Sequence, residues 1–211
     1  MGYADEDILK VKQQMKEKEE EQHAESAVEK ENKEQITDGM VHIYGEEVEF
    51  EQKTVEELRI RMLMPKKYDL LDEEVKEVLF PLGNRPSHVF ASGDVQGNVS
   101  MNLTPSAVPN EHIKDFMPMI KKLMEQMGPK TKILRTEVIQ KEIAPKEEIN
   151  IGIMQFLSHA IDMKVYNVMS FFSMEGKLLI LTISFPNKLS ERYVTLAKQM
   201  IDSLEILARE E

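Results

Sequence analysis

The sequence lacks cysteine altogether. A disulfide, a thiolate nucleophile and a zinc site with cysteine ligands are therefore excluded. No apolar stretch approaches the roughly 18 residues that a membrane-spanning helix needs. The chain also lacks the cationic start and apolar run of a secretory signal. We therefore expect a cytoplasmic protein without membrane insertion, although a processed exported form would show the same features.

The sequence has fewer basic than acidic residues. It contains 27 lysines and arginines and 38 aspartates and glutamates, which gives a net charge of −11. An acidic surface repels nucleic acid and anionic membranes, so we expect neither as a partner. Residues 1–39 hold six lysines and twelve carboxylates and no extended apolar face. We predict that they form a charged, helix-prone or disordered tail in solvent, and that residues 40–211 form a single domain. The sharper alternative is an arm that docks on a partner or on a second copy.

The last third of the chain carries the plainest structural pattern. Residues 165–173 and 178–185 are rich in strand-forming side chains, and residues 174–177 between them supply a turn. An apolar stripe at helical spacing follows, made of Tyr193, Leu196, Ala197, Met200, Leu204 and Leu207. This pattern predicts a β-hairpin covered by an amphipathic helix, with Leu181 in the core between them.

Further patterns precede this unit. Strand-like runs occupy residues 40–44, 48–50, 58–64, 88–92, 98–103, 133–143 and 149–160. Residues 70–80 are compatible with a short helix, and residues 110–127 predict a long one that is kinked at Pro118 or starts near it. Short turns favour antiparallel pairing, and strands that are apolar on both sides need cover on both. We therefore predict an α+β fold, an antiparallel sheet sandwiched between helices (an α-β-α sandwich).

Three segments resemble a known family. They are Met64-Pro65 with Tyr68 after it, the strand of residues 176–185, and Ile201-Asp202-Ser203-Leu204 at the end of the last helix. In this order they resemble the PsbP-like superfamily, which includes the photosystem II protein PsbP, the DcrB-like proteins and a nuclear import factor that binds Ran. The resemblance implies an α-β-α sandwich and a non-enzymatic role in binding, assembly or chaperoning, as in DcrB-like adaptors for secreted effectors. It supplies no catalytic residue and no cofactor, and the charged N-terminal tail departs from it.

Catalytic patterns are sparse. Ser158, His159 and Asp162 are the residue types of a hydrolase triad, and an enzyme with a site assembled around them is the alternative function. A triad, however, requires a specific geometry across a fold, and neighbours on a strand point to opposite faces. No G-x-S-x-G elbow and no phosphate-binding glycine loop occurs. We expect no catalytic residue, no metal and no cofactor.

Methionine is abundant, with 15 residues. Most of these fall on predicted core faces, but Met119 and Met174 are expected to be exposed and are our candidates for partner binding, since methionine suits adaptable apolar contacts. The sequence thus favours a non-catalytic protein-binding, adaptor or chaperone-like module. The partner would be another protein, and a homo-oligomer is a further possibility.

Overall fold

The computed structural model describes residues 3–28, 35–81, 85–93, 97–128, 130–144, 147–160 and 163–208. Its helices are α1 (Tyr3–Ala27), α2 (Glu73–Leu79), α3 (Ile113–Met127) and α4 (Ser190–Asp202). The strands are β1 (Met40–Ile43), β2 (Glu46–Val55), β3 (Ile60–Pro65), β4 (Asp69–Leu70), β5 (His88–Ala91), β6 (Asn98–Ala107), β7 (Lys132–Ala144), β8 (Glu147–His159), β9 (Lys164–Met174), β10 (Lys177–Pro186) and β11 (Glu205–Ile206). No helix in these ranges is long and apolar enough to cross a membrane.

The strands form two antiparallel sheets. The larger has seven strands in the order β4-β5-β6-β10-β9-β8-β7, and the smaller has four in the order β1-β2-β3-β11. The predicted hairpin of β9 and β10 lies inside the larger sheet, with Lys177 opposite Met174 at its turn. The sequence also predicts a hairpin from the runs of residues 88–92 and 98–103, with a turn at residues 93–97. β5 and β6 pair as this predicts, and residues 94–96 of the turn lie outside the described residues.

Both faces of the larger sheet are covered, which confirms the α+β fold with helices on either side. On β10, Leu179 and Leu181 belong to the main core together with residues of α4. Leu178 and Ile180 point to the opposite face and pack in a second cluster with Ile113 of α3. Because alternate residues of a strand face opposite ways, α4 and α3 lie on opposite sides of the sheet. The core therefore has two layers, as the two-sided apolar pattern predicted.

The C-terminal helix is shorter than the apolar stripe suggests. It ends at Asp202, and Ile206 pairs with Ile60 of β3 in the smaller sheet. Ser203 explains this end, because its hydroxyl donates to the carbonyl of Met200 at 2.7 Å and accepts from the amide of Leu63 at 2.9 Å. The prediction of a helix through residue 207 is therefore wrong, and the smaller sheet was not foreseen.

Pro118 lies inside α3, which runs without a break from Ile113 to Met127. The alternative prediction of a helix that starts near Pro118 is wrong. Pro118 is exposed, so the carbonyl that it leaves without a donor, that of Lys114, can bond to solvent instead.

The N-terminal segment differs from the expected solvated tail at its C-terminal end. Residues 3–27 are helical as their composition favours, but Ala24 and Ala27 are fully buried and Ile36 is 1% exposed. All three belong to the main core cluster. The division of the chain at residue 39 stays a prediction.

Gly152 is required by close packing in the larger sheet. It lies opposite Phe171 in the register of β8 and β9. A Cβ at residue 152 would lie 2.4 Å from Cε2 of Phe171, and that ring in turn meets Phe116 of α3 edge to face, with centroids 6.3 Å apart. Glycine therefore allows the ring of Phe171 to lie against the sheet beneath α3.

We expect Gly152→Ala to lower the free energy of unfolding by about 1–3 kcal/mol, because an added methyl overpacks the ring of Phe171. Urea denaturation of the purified protein measures this. Gly93→Ala is the control, since a Cβ there meets no atom within 4 Å. Equal stability of the Gly152 variant and the wild type would show that the contact is not tight.

Candidate functional site

The structure does not bring the triad candidates together. Ser158 and His159 are consecutive residues of β8, so their side chains point to opposite faces, and Asp162 lies outside the described residues. The hydroxyl of Ser158 accepts a hydrogen bond from Nδ2 of Asn167 at 2.9 Å, and Oδ1 of Asn167 accepts one from the hydroxyl of Ser184 at 2.8 Å. Ser158 is therefore the last residue in a row of hydrogen-bonded polar side chains that crosses β8, β9 and β10.

Two histidines of the strands, His42 and His88, lie close to glutamates. His42 lies 3.5 Å from Glu47, and His88 lies 3.4 Å from Glu57. Over the described ranges, no group of three or more side chains is placed to hold a metal ion. The hydroxyl of Ser87 lies 3.0 Å from Nδ1 of His88, and it also donates to the backbone carbonyl of Met101 at 3.1 Å. A serine nucleophile is activated by donating its proton to a base, and here the carbonyl of Met101 competes with His88 for that proton.

Helix α3 presents apolar side chains on two sides. Its inner side is anchored on the larger sheet by Ile113, which is fully buried, and Met117, which is 7% exposed. Met119 and Leu123 are 57% and 46% exposed. They are four residues apart and therefore adjacent on one face of the helix. We call this pair the outer face of α3.

Met174 does not share this exposure. It ends β9, is 4% exposed and belongs to the main core, so its expected exposure is wrong. The alternation along β9 gives the reason, because Phe172 and Met174 are two residues apart and face the same side of the sheet. The turn begins only at Glu175, which takes a positive φ of 50°. The period-two pattern of β9, extended by one step, would have placed Met174 in the core.

A second feature, which the sequence did not reveal, is the contact between α1 and the end of the β9–β10 hairpin. Nζ of Lys164 donates to the carbonyl of Glu17 at 3.0 Å, and Nδ2 of Asn187 donates to the carbonyl of Glu20 at 2.9 Å. Both side chains are buried. The sequence holds one indication of this contact. Ala24 and Ala27 are small apolar residues, three positions apart and therefore on one side of a largely charged helix.

Ion pairs also join α1 to the larger sheet. Lys132 of β7 lies 2.8 Å from Glu21 and 3.0 Å from Glu25. The hydrogen bond that Lys132 donates to Glu21 lowers the pKa of Glu21, and the hydrogen bonds that Lys132 donates, to Glu21 first and then to Glu25, raise the pKa of Lys132. Both groups therefore remain charged at neutral pH, and an ion pair adds to the apolar packing and hydrogen bonds of α1.

A cavity of about 510 Å³ lies at this contact. Its walls are formed by Glu19, Glu20, His23, Met163, Lys164, Pro186, Asn187 and Lys188. Two buried atoms here, Nε2 of His23 and Oδ1 of Asn187, have no hydrogen-bond partner within the described part of the chain. The contact of α1 therefore combines the buried alanines with polar groups that are only partly satisfied.

The fold resembles that of a PsbP protein. The solution structure of cyanobacterial PsbP (CyanoP) from Synechocystis sp. PCC 6803 matches with a TM-score of 0.55 and 13% identity, over 74% of this chain and 92% of that chain.

Two weaker matches have TM-scores too low to carry a conclusion. One is a protein of Bacteroides thetaiotaomicron (TM-score 0.42, 15% identity, 72% of this chain and 46% of that chain). The other is from Pseudomonas aeruginosa (TM-score 0.41, 10% identity, 77% and 99%). No family model matches the sequence, and no curated protein matches it either. The expected resemblance is therefore confirmed at the level of the fold: this chain has a PsbP-like fold.

Proposed function

We propose that the protein is a non-catalytic binding module, adaptor or chaperone-like, that holds another protein through the outer face of α3. The observation that carries this proposal is the exposure of Met119 and Leu123 on a helix whose opposite side is firmly anchored. Two large apolar side chains at i and i+4 form the kind of anchor that a partner buries at the centre of an interface.

The anchoring of α3 favours binding. Ile113 and Met117 pack on the sheet, and the ring of Phe116 meets that of Phe171 at an interplanar angle of 75°. The helix therefore presents its outer face without further ordering, which reduces the entropic cost of association. The flexible thioether of Met119 adapts to apolar partners of different shape.

The alternative, a hydrolase built around Ser158 and His159, has less support. A serine nucleophile needs a base within hydrogen-bond reach, and these two side chains lie on opposite faces of β8 while Ser158 is bonded to Asn167. A role in protein export or in the assembly of a larger complex, carried out in the cytoplasm, fits a module of this kind and forms part of the proposal.

We expect the double variant Met119→Glu, Leu123→Glu to retain its stability and to lose partner capture by more than about tenfold, or about 1.4 kcal/mol. Glutamate suits an exposed helix position but removes the apolar contact. The measurement is quantitative mass spectrometry of proteins recovered from source-cell extract on immobilised wild type and variant. Met40→Glu is the matched control, because Met40 is 45% exposed on β1, away from α3.

Histidine variants separate binding from catalysis. Replacing His42 and His88 with asparagine and His159 with glutamine should leave capture within about tenfold of the wild type. A broad activity screen on the same samples provides the opposing outcome. Turnover of any substrate by the wild type that the histidine variant abolishes would contradict the proposal.

A further inference from the structure

The short helix α2 buries a charged side chain and exposes apolar ones. Lys76 is only 4% exposed and is the buried residue of this helix, whereas Val75 and Val78 are 42% and 79% exposed. At about 100° per residue, Val78 lies on the side of the helix opposite Lys76, with Val75 beside it. A helix that packs on the surface of a protein is expected to do the reverse, with its valines buried and its lysine exposed.

Lys76 is buried because its charge is satisfied there. Its Nζ donates to the carbonyl of Ser87 at 2.9 Å and pairs with the carboxylate of Glu73. The bond to Ser87 fixes the rotation of α2 about its axis, since a turn that buried the valines would break it, whereas the pair with Glu73 lies within the helix and turns with it. The apolar side of α2 is therefore held outward by the protein itself.

Carboxylates surround this apolar side. The β4–α2 corner (residues 69–80) contains five of them and one lysine, a net charge of −4. Its acidic residues are Asp69, Asp72, Glu73, Glu74 and Glu77. Glu73 pairs with Lys76, and Glu77 accepts a hydrogen bond from Arg85 at 2.7 Å. Asp69, Asp72 and Glu74 have no ion pair with any residue that the structure describes.

A third exposed apolar side chain lies close to α2 in the chain. Leu70 of β4 is 54% exposed and lies three residues before the start of α2. β4 is the edge strand of the larger sheet, whereas α3 packs over β7, β8 and β9 at the other end. The corner is therefore separate from the outer face of α3.

We propose that the β4–α2 corner is a docking surface for a basic amphipathic segment of another protein. The apolar side of that segment would cover Leu70, Val75 and Val78, and its lysine or arginine side chains would pair with Asp69, Asp72 and Glu74. Charge complementarity decides the partner, because a segment that is apolar and acidic, or apolar alone, would leave these carboxylates unpaired at the edge of the contact. This surface is additional to the one proposed on α3 and does not depend on it.

The test uses a synthetic amphipathic helix of leucine and lysine, about four turns long, titrated into the full-length protein. NMR amide shifts locate the binding, and calorimetry gives the affinity. We expect the shifts to concentrate in residues 69–80, and we expect Val75→Ser, Val78→Ser to weaken binding by about tenfold or more. Glu74→Gln and added salt should weaken it by a smaller factor, as the ion pairs are exposed.

Two controls distinguish docking from general attraction to an acidic protein. A scrambled peptide of the same composition has the same charge but no apolar side, and it should bind at least several-fold more weakly. Val11→Ser changes a valine that is 54% exposed on α1, and it should leave the affinity unchanged. Equal binding of both peptides, with no effect of the Val75 and Val78 substitutions, would overturn the proposal.

The same variants also test whether a second copy of the protein or a membrane covers the corner instead. If the wild type self-associates in sedimentation and Val75→Ser, Val78→Ser abolishes this, the surface serves a second copy and the proposal is wrong. If neutral phosphatidylcholine vesicles bind the wild type and not the variant, the surface serves a membrane and the proposal is equally wrong. Variants at Met119 should affect neither the peptide nor these measurements, so failure here leaves the α3 proposal untouched.

Discussion

Leu181→Asp is expected to remove most of the stability of the protein. Leu181 is fully buried at the middle of β10, between Ser170 of β9 and Met101 of β6. Its side chain belongs to the main core, which also contains Leu196 and Met200 of α4. An aspartate there would place an unpaired carboxylate in an apolar site and leave a cavity. The combined cost is several kcal/mol, a large part of a typical stability of about 5–15 kcal/mol.

Thermal unfolding followed by circular dichroism measures this effect. Leu123→Asp is the matched control, because it makes the same chemical change at a leucine that is 46% exposed, and it should alter the melting curve little. A Leu181 variant that remains soluble and melts like the wild type would show that this face of β10 is not the core.

Removal of the N-terminal segment should weaken the fold in two separable steps. Deleting residues 1–28 removes the burial of Ala24 and Ala27, worth about 1–2 kcal/mol, and exposes Lys164 and Asn187 to water in place of their bonds to α1. Deleting residues 1–39 also removes Ile36, which is 1% exposed and whose amide donates to Oε1 of Gln199 at 3.0 Å. The second deletion should therefore cost about 2–5 kcal/mol more.

We expect both truncated proteins to unfold cooperatively, because neither sheet contains a strand from residues 3–28 or 35–39, the part of this segment that the structure describes. Urea denaturation and near-UV circular dichroism measure the stability and the packing. Loss of the sigmoidal transition in the shorter deletion would show that α1 is an integral part of the domain. Equal stability of the two truncated proteins would show that Ile36 contributes nothing to the core.

Local signals in the sequence predict the larger sheet well. The β9–β10 hairpin follows from strand-forming runs joined by Glu175-Gly176, both of which adopt positive φ. The inner side of α3 follows from the helical spacing of Ile113 and Met117, both buried as that spacing predicts. In each case the residues that determine the structure are close together in the chain.

Features that depend on distant residues were missed. The pairing of Ile206 with Ile60, beyond the end of the last helix, joins segments that are far apart in the chain. The contact of α1 depends on backbone carbonyls that bond to Lys164 and Asn187, more than a hundred residues away. No periodicity within residues 1–39 could reveal these partners.

The two proposed surfaces were accessible to sequence reasoning to different degrees. The exposure of Met119 was predicted from its angle to the apolar stripe of α3. The corner at α2 was not, because Val75 and Val78 have the spacing of a buried apolar face. Only the buried Lys76 and its bond to Ser87 show that this face is turned outward.

The central claim, that α3 holds another protein, is tested most directly by site-specific photo-crosslinking in the source cells. A photoreactive amino acid replaces Met119, and in a parallel variant it replaces Met163, which is 52% exposed on the loop between β8 and β9. The account predicts a discrete crosslinked protein from residue 119 that is absent from residue 163 and is lost when Leu123 is changed to glutamate. Identical crosslinking from the two positions, or no partner at residue 119, would contradict it.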